Sequence, residues 1–373
     1  MSYYYPSYDT LKAFCGRAFT AFGFSREESE IIGDVLLKAD LYGIESHGMQ
    51  RMARYHKGIE KGLIHPEAKP LLVFETPVSG VMDAQAGMGQ LAAHRAMSLA
   101  IEKAKKSGIG IVTVRNSNHY GIAGYYAEMA SREGLIGFSC TNSEAIMVPT
   151  NARLAMLGSN PIACAVPADP TPFLFDASTT VVTRGKLEIY NKAGKKLPKG
   201  WALNEEGEPT EDAALVLGNI IGKKGGGIMP LGGFSEELGS HKGYGFAMIC
   251  ELFSSILSLG KTSPECMTRG RGEICHGFAA IDPACFGDPA AIKAHFSDFL
   301  KSLREAPLAG SASRIYTHGE KEKEAVAERL KEGIPVNENT LGELWELCEY
   351  LKLPFKEYFP DYEPAESRKA SFY

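Results

Sequence analysis

The sequence predicts an α/β fold built around a partly parallel sheet, and three observations carry that expectation. Residues 69–141 alternate short β-branched runs with helical patterns in the order β-α-β-α-β, which requires crossover connections. Both ends of the chain instead repeat apolar residues at helical spacing. Finally, 373 residues with 44% hydrophobic, 23% charged and 40 glycines have the makeup of an ordinary globular enzyme, large enough for a substantial core and two lobes.

Composition also narrows the ligands. A net charge of −5 argues against nucleic acid and anionic membrane surfaces, which select a basic footprint, and leaves small molecules. The start, MSYYYPSYDTLKAF, lacks the basic end and apolar core of a signal peptide, and no later stretch reaches a membrane-spanning length, so a cytoplasmic protein is expected. Eight cysteines without a CxxC pair fit free thiols in a reducing compartment. Cys266, Cys275 and Cys285, with His276 beside them, match no compact zinc spacing, and no metal is expected.

In chain order, Tyr8 to Leu41 reads as a helical lobe, with Ser25 and Glu28 as a capping box. Ser46 is a candidate N-cap for a helix over 45–62, which would set His47 and Arg51 four apart on one face. Arginine's planar fork grips a carboxylate while a histidine exchanges a proton at the neighbouring carbon; the alternative is a solvated face with a chance histidine. Short strands over 69–84 precede an amphipathic helix over 90–106. The run Ile109 to Val114 reads as a buried strand, followed by Asn116, Ser117 and Asn118 as turn and cap residues for a helix through Met129. His119 falls at the strand's carboxyl end beside that helix, where α/β proteins place ligand chemistry; capping or packing is the other reading. The helix dipole there favours a neutral imidazole.

After a strand over 135–141, the loop Asn142 to Asn160 is dense in hydrogen-bonding residues, as ligand loops are. Strands over 162–166 and 173–175 follow, the second ending in Asp176-Ala177-Ser178. Those residues meet ribose hydroxyls or, by default, cap a helix over 179–191. Residues 192–212 read as a surface excursion, and Gly222 to Gly233 as the most flexible piece of the chain. Neither GxxxxGK[ST] nor GxGxxG occurs. Lys242 opens a helix over 241–259, where an anion could bind. A strand over 277–281, a helix over 289–304, a turn at 316–320, helices over 320–332 and 340–351, and a frayed tail complete the chain.

Four segments together resemble the malate/L-lactate dehydrogenase family that lacks a Rossmann domain. They are Ser46-His47-Gly48 with Arg51, Arg115-Asn116-Ser117-Asn118-His119-Tyr120-Gly121, Gly158-Ser159-Asn160-Pro161, and His241-Lys242-Gly243-Tyr244-Gly245, and they occur in the family's order. The resemblance spans about residues 5–360. It implies a non-Rossmann mixed-sheet NAD(P)-binding domain over 71–314, with its excursion at 192–235. It also implies a helical lobe made from an N-terminal segment, 1–70, and C-terminal helices within 315–373. A homodimer, NAD or NADP as cofactor with NAD favoured, and a small carboxylate substrate are further implications.

Carried over residue by residue, His47 and His119 become the acid/base pair, and Arg51 with Ser46 the substrate contacts. Ser143, Asn160, Asp176, Ala177, Ser178, Lys242, His318, Gly319 and Glu320 become cofactor contacts. The activity implied is hydride transfer between NAD(P) and a 2-hydroxy acid of malate or lactate type. Ureidoglycolate dehydrogenase or imino-acid reductase chemistry is the second reading, motivated by Glu144, whose extra carboxylate would repel a dicarboxylate or hold an amine. Asn204 is a second departure, standing where many relatives carry aspartate. A non-oxidative lyase or metal-assisted hydrolase using the same histidines is the third, and the absence of a compact His/Asp/Glu ligand set counts against it.

Overall fold

A computed structural model of the chain describes residues 2–266 and 272–364; most of the expected C-terminal tail lies outside them. The N-terminal segment carries β1 (Tyr3–Tyr4), α1 (Tyr8–Ala21), α2 (Arg26–Leu41) and α3 (Met52–Glu60). Ser7 caps α1, and Ser25 with Glu28 caps α2 through the reciprocal box that the sequence predicts. The apolar stripes of these helices, including Leu11, Phe14, Phe19, Ile32 and Leu36, are fully buried. Burial of each such side chain stabilises by about 1.5–3 kcal/mol.

Their partners come from the other end of the chain: α10 (Glu320–Glu332), β12 (Val336–Asn337), α11 (Glu338–Leu351) and α12 (Phe355–Tyr358). Leu341, Leu344, Leu347 and Phe355 join the same core, and β1 pairs antiparallel with β12. Arg329 on α10 donates to the Asp40 carbonyl and pairs with Glu45 at 3.4 Å, tying this helix to the segment that leads into α3.

The central sheet has seven strands: β2 (Leu71–Glu75), β3 (Ser79–Asp83), β4 (Ile109–Ser117), β5 (Ile136–Thr141), β6 (Ile162–Val166), β7 (Phe173–Ala177) and β11 (Ile274–Ile281). Their spatial order is β2-β3-β4-β11-β5-β6-β7. Only β3 and β4 pair in parallel; β11 runs antiparallel between β4 and β5. The expected crossover helices, α4 (Gly89–Ser107) and α5 (Ala123–Arg132), are present, and they pack with Val112, Val114, Ala163 and Phe278 of the sheet in one core.

The registers bring the carboxyl ends of β4, β5 and β7 and the amino ends of β6 and β11 to one end of the sheet. The pairs Ser117↔Ile274, Thr141↔His276, Cys140↔Ile162 and Ile162↔Ala177 fix this alignment. Residues far apart in sequence therefore converge there.

The segment between β7 and β11 corrects several expectations. The helix expected over 179–191 is α6 (Arg184–Lys192). Beyond it lie β8 (Ala202–Leu203), β9 (Pro209–Thr210), α7 (Ala213–Gly222) and β10 (Gly227–Ile228), a three-stranded sheet and a helix that the turn signals hid. Leu187, Leu197, Val216, Ile220 and Ile228 give it a separate apolar cluster that includes Ile146.

Of the glycines expected to be flexible, Gly225, Gly226, Gly227 and Gly233 are buried, while Gly222 is exposed. A side-chain carbon at Gly226 would lie 2.4 Å from the Leu203 carbonyl oxygen, and φ there is +69°, so only glycine fits without strain. The helix expected over 241–259 is α8 (Ser240–Glu251), followed by a π-helical turn, Leu252–Ile256. The expected helix over 289–304 is α9 (Pro289–Arg304).

Candidate active site

The helix expected to start at Ser46 does not form there. Two 3-10 turns, Glu45–His47 and Met49–Arg51, meet at Gly48, and α3 begins only at Met52. The cause lies upstream. The buried Asp40 carboxyl group accepts the Met49 N–H at 2.8 Å and fills the space beside Gly48, where a side-chain carbon would sit 1.8 Å from Oδ1. Burial pushes the Asp40 carboxyl up to about 8. Although no regular helix joins them, His47 and Arg51 still line one cleft, of about 380 Å³, together with Ser46. Arg51 Nε donates to the Ser46 carbonyl, and Ser46 Oγ lies 2.9 Å from His47 Nδ1.

His119 enters the same cleft from the end of β4. That strand continues through Asn116 and Ser117, so these residues cap no helix. Asn118 donates to the carbonyls of Leu63, Ala86 and Gly87 at 3.0–3.1 Å and so holds the turn. The following helix, α5, takes its cap from a distant strand: Asp176 on β7 accepts the Gly124 N–H at 2.6 Å. Default capping was thus expected of the right residue and the wrong helix. Burial raises the Asp176 carboxyl to about 6, against the lowering effect of that bond.

The ring of His119 lies 5.3 Å from that of His47, nearly parallel at 27°. Its Nδ1 is 2.8 Å from the Tyr55 hydroxyl and 3.4 Å from the Gly121 N–H. A backbone N–H can only donate, so Nδ1 accepts and the ring proton is assigned to Nε2. Burial, with Arg51 and Arg54 nearby, pushes His47 down to about 3. Burial, His47 and the same two arginines likewise push His119 well below its ordinary value. Both imidazoles are neutral near pH 7.

The rest of the cleft is a mixed wall. Ile122, Ala123, Ile146, Pro161 and Ala177 provide apolar surface; Ser143, Ser159, Ser178, Thr183 and Asp176 provide hydroxyls and a carboxylate. An apolar slot edged with hydrogen-bonding groups fits a nicotinamide ring with its carboxamide and ribose hydroxyls. Arg184 is the cation on this side, and it is engaged by Glu144 at 3.4 Å and Glu188 at 3.2 Å.

Of the residues expected to contact cofactor, Ser143, Asp176, Ala177 and Ser178 line the cleft, whereas Asn160, Lys242, His318, Gly319 and Glu320 do not. Asn160 is buried and donates to the Ala247 carbonyl and to Glu251, fixing the loop before β6 against α8. Glu251 also accepts from Asn142 and Ser255, so one buried carboxylate steadies two strand-end loops. Lys242 is exposed on the first turn of α8. The His318–Glu320 turn packs along edge strand β7, where Leu174 N–H donates to the His318 carbonyl; Glu320 accepts from Thr317 and pairs with Arg314. His276 bridges Thr141 and Ser117, at 2.8 Å each, and is a satisfied core histidine.

The model of one family, malate/L-lactate dehydrogenase, matches residues 7–345. The chain belongs to that family. It is 43% identical over 342 residues to a malate dehydrogenase of Pyrococcus abyssi, covering 91% of this chain and 93% of the relative. It is 34% identical over 344 residues to an L-sulfolactate dehydrogenase of Methanocaldococcus jannaschii, covering 90% and 94%. The solved malate dehydrogenase of Entamoeba histolytica superposes with a TM-score of 0.91 at 37% identity, over 95% of this chain and 99% of that one. Family membership accounts for the mixed sheet and for the missing GxGxxG. Sequence reasoning within the family's motifs nevertheless passed over Tyr55, Arg54 and Arg184. Tyr55 follows Arg51 by four, a spacing that could have flagged it.

Proposed function

We propose that the chain is an NAD(P)-dependent dehydrogenase that interconverts a small 2-hydroxy acid, malate foremost, with its 2-oxo acid. The observation carrying this reading is that Arg51 and His119 face one cleft whose other half suits a nicotinamide. When bound, the nicotinamide supplies or accepts the hydride at the carbon bearing the hydroxyl. Arg51 grips the carboxylate of the substrate, and its tie to Ser46 sets the guanidinium's direction. Nε2 of His119 has no hydrogen-bond partner among the described residues and faces the substrate oxygen; the ring takes up a second proton as the substrate's negative charge binds beside it, gives the Nε2 proton to that oxygen in reduction and is left neutral. Oxidation needs the opposite tautomer, and the Tyr55 hydroxyl, able to donate or accept, permits the exchange. His47 stacks against His119 and orients it.

NAD is favoured over NADP. Among the described residues the one cation on the cofactor side, Arg184, already holds two carboxylates and offers little to a 2′-phosphate. The same pairing weighs against an amine-binding role of Glu144, whose carboxylate already has a guanidinium partner. Exposed Phe246, Met248, Ile249, Leu252 and Ile256 along α8 and its π turn supply the apolar surface a homodimer would cover, which sedimentation at twice the chain mass would verify. Free cysteines agree with work in the cytoplasm.

The deciding experiment follows oxidation of NADH and NADPH by the purified protein against oxaloacetate, pyruvate and a panel of other 2-oxo and imino acids. Faster turnover of oxaloacetate with NADH is expected. Turnover of imino acids alone would replace this reading, and failure to bind either nucleotide would remove it.

A further inference from the structure

A second cavity, of about 390 Å³, meets the cleft at His119, Arg54 and Ile274, which line both. Its described lining carries three cations, Arg54, Lys57 and Lys61, and one carboxylate, Glu343. Tyr55 and Asn118, both held by the hydrogen bonds given above, form part of its wall. The cavity is thus a largely cationic space that adjoins the cleft at the imidazole.

The partners of the three arginines in these cavities point to the ligand. Arg184 is matched by Glu144 and Glu188, and Asp176 by the backbone N–H of Gly124. Arg51 donates to a neutral carbonyl, and Arg54 makes no ion pair among the described residues. Arg51 and Arg54, neither in an ion pair among the described residues, stand three residues apart on successive turns, which is roughly 5 Å along the axis. A single carboxylate satisfies one of them; a second anionic group, one or two carbons along, satisfies the other.

We propose that the second cavity receives the distal anionic group of the substrate, and that Arg54 selects dianionic 2-oxo acids, dicarboxylates or sulfo-acids, over monoanionic ones. This rests on the 2-hydroxy-acid reading above. Arg51 holds the carboxylate next to the reacting carbon, His119 stands at that carbon's oxygen, and Arg54 holds the far end. Being exposed, Arg54 keeps its hydration until substrate arrives, so binding trades water for a charge-assisted contact.

The test compares Arg54→Gln and Arg54→Lys with the wild type in NADH oxidation, using oxaloacetate and sulfopyruvate as dianions and pyruvate and 2-oxobutyrate as monoanions. In Arg54→Gln the ratio of kcat/KM for oxaloacetate over pyruvate is expected to fall about tenfold or more, chiefly through KM. Arg54→Lys, which keeps the charge and loses the planar fork, should lie between Arg54→Gln and the wild type. Removing this charge should also move the alkaline limb of the kcat/KM pH profile upward, since His119 has to be protonated to donate in this direction, which a purely structural role would not do.

Equal losses for both substrate classes, or a ratio within twofold of the wild type, would overturn the assignment. If Arg54→Gln does not fold, Arg54→Lys still decides: a wild-type ratio in that variant also overturns it. A wild type that binds NADH but reduces none of the four acids defeats the underlying functional reading instead.

Discussion

The pair formed by Tyr55 and His119 shows how much of the chemistry rests on one hydroxyl. Tyr55 holds Nδ1 at 2.8 Å, and its own acidity is shifted up to about 12 by burial, so it remains a phenol throughout the working range. Replacing His119 by Asn is expected to lower kcat by about 10²–10⁴-fold, as for loss of a general acid. Tyr55→Phe leaves only the 3.4 Å contact with Gly121 and should cost about tenfold in kcat with little change in KM, because the ring then loses its tautomer control. Steady-state rates with oxaloacetate measure both, and near-normal turnover of the Asn variant would transfer the proton role to His47. Residue type and order made His47, Arg51 and His119 visible in the sequence. Tyr55 was not, because a tyrosine among apolar helix positions is indistinguishable from core until its hydroxyl has a partner.

Among the elements, the broken helix at 45–51 is the most instructive. Local propensity predicts a continuous helix from Ser46, and the break comes from Asp40, which no window over this segment weighs as a partner of Met49. Asp40 is protonated at neutral pH in the folded chain. Its carboxyl rises from 3.8 to about 8 on folding, so it contributes stability fully present below about pH 3.8 and lost as pH rises through 8. Asp40→Asn keeps an acceptor for the Met49 N–H without the titration. Its melting temperature should therefore fall less between pH 6 and pH 9 than that of the wild type, and an equal fall in both would refute the role. The same limit explains why Asp176 was matched to the helix next in sequence rather than to α5. Caps supplied across space leave no trace in spacing. Helix α7 escaped for another reason: its sequence, AALVLGNIIG, is apolar throughout, and the glycine-rich stretches around it read as loop.

For the whole molecule, buried imidazoles and buried carboxyls pull stability in opposite directions. His47, His56, His94, His119 and His276 all titrate below the ordinary 6.5, chiefly through burial, so their contribution is present above that pH and lost as pH falls, for His47 and His276 toward about 3. Asp40 lowers stability as pH rises from about 3.8 to about 8, and Asp176 only up to about 6, so of the two Asp40 alone acts above 6.5. Thermal melting against pH should peak near 6.5 and decline on both flanks, and a flat profile from pH 4 to 9 would contradict this account. The sheet's α/β character and its crossover helices were legible from alternation alone. The place of β11 was not, since antiparallel insertion between β4 and β5 depends on a strand some 130 residues after β5. That insertion has a consequence for synthesis in the cell. At roughly 5–20 residues per second, a ribosome needs about 7–25 s to pass from the end of β5 to the start of β11. Through that interval the facing edges of β4 and β5 have no partner strand, which makes the nascent chain a natural client for chaperones that shield open backbone.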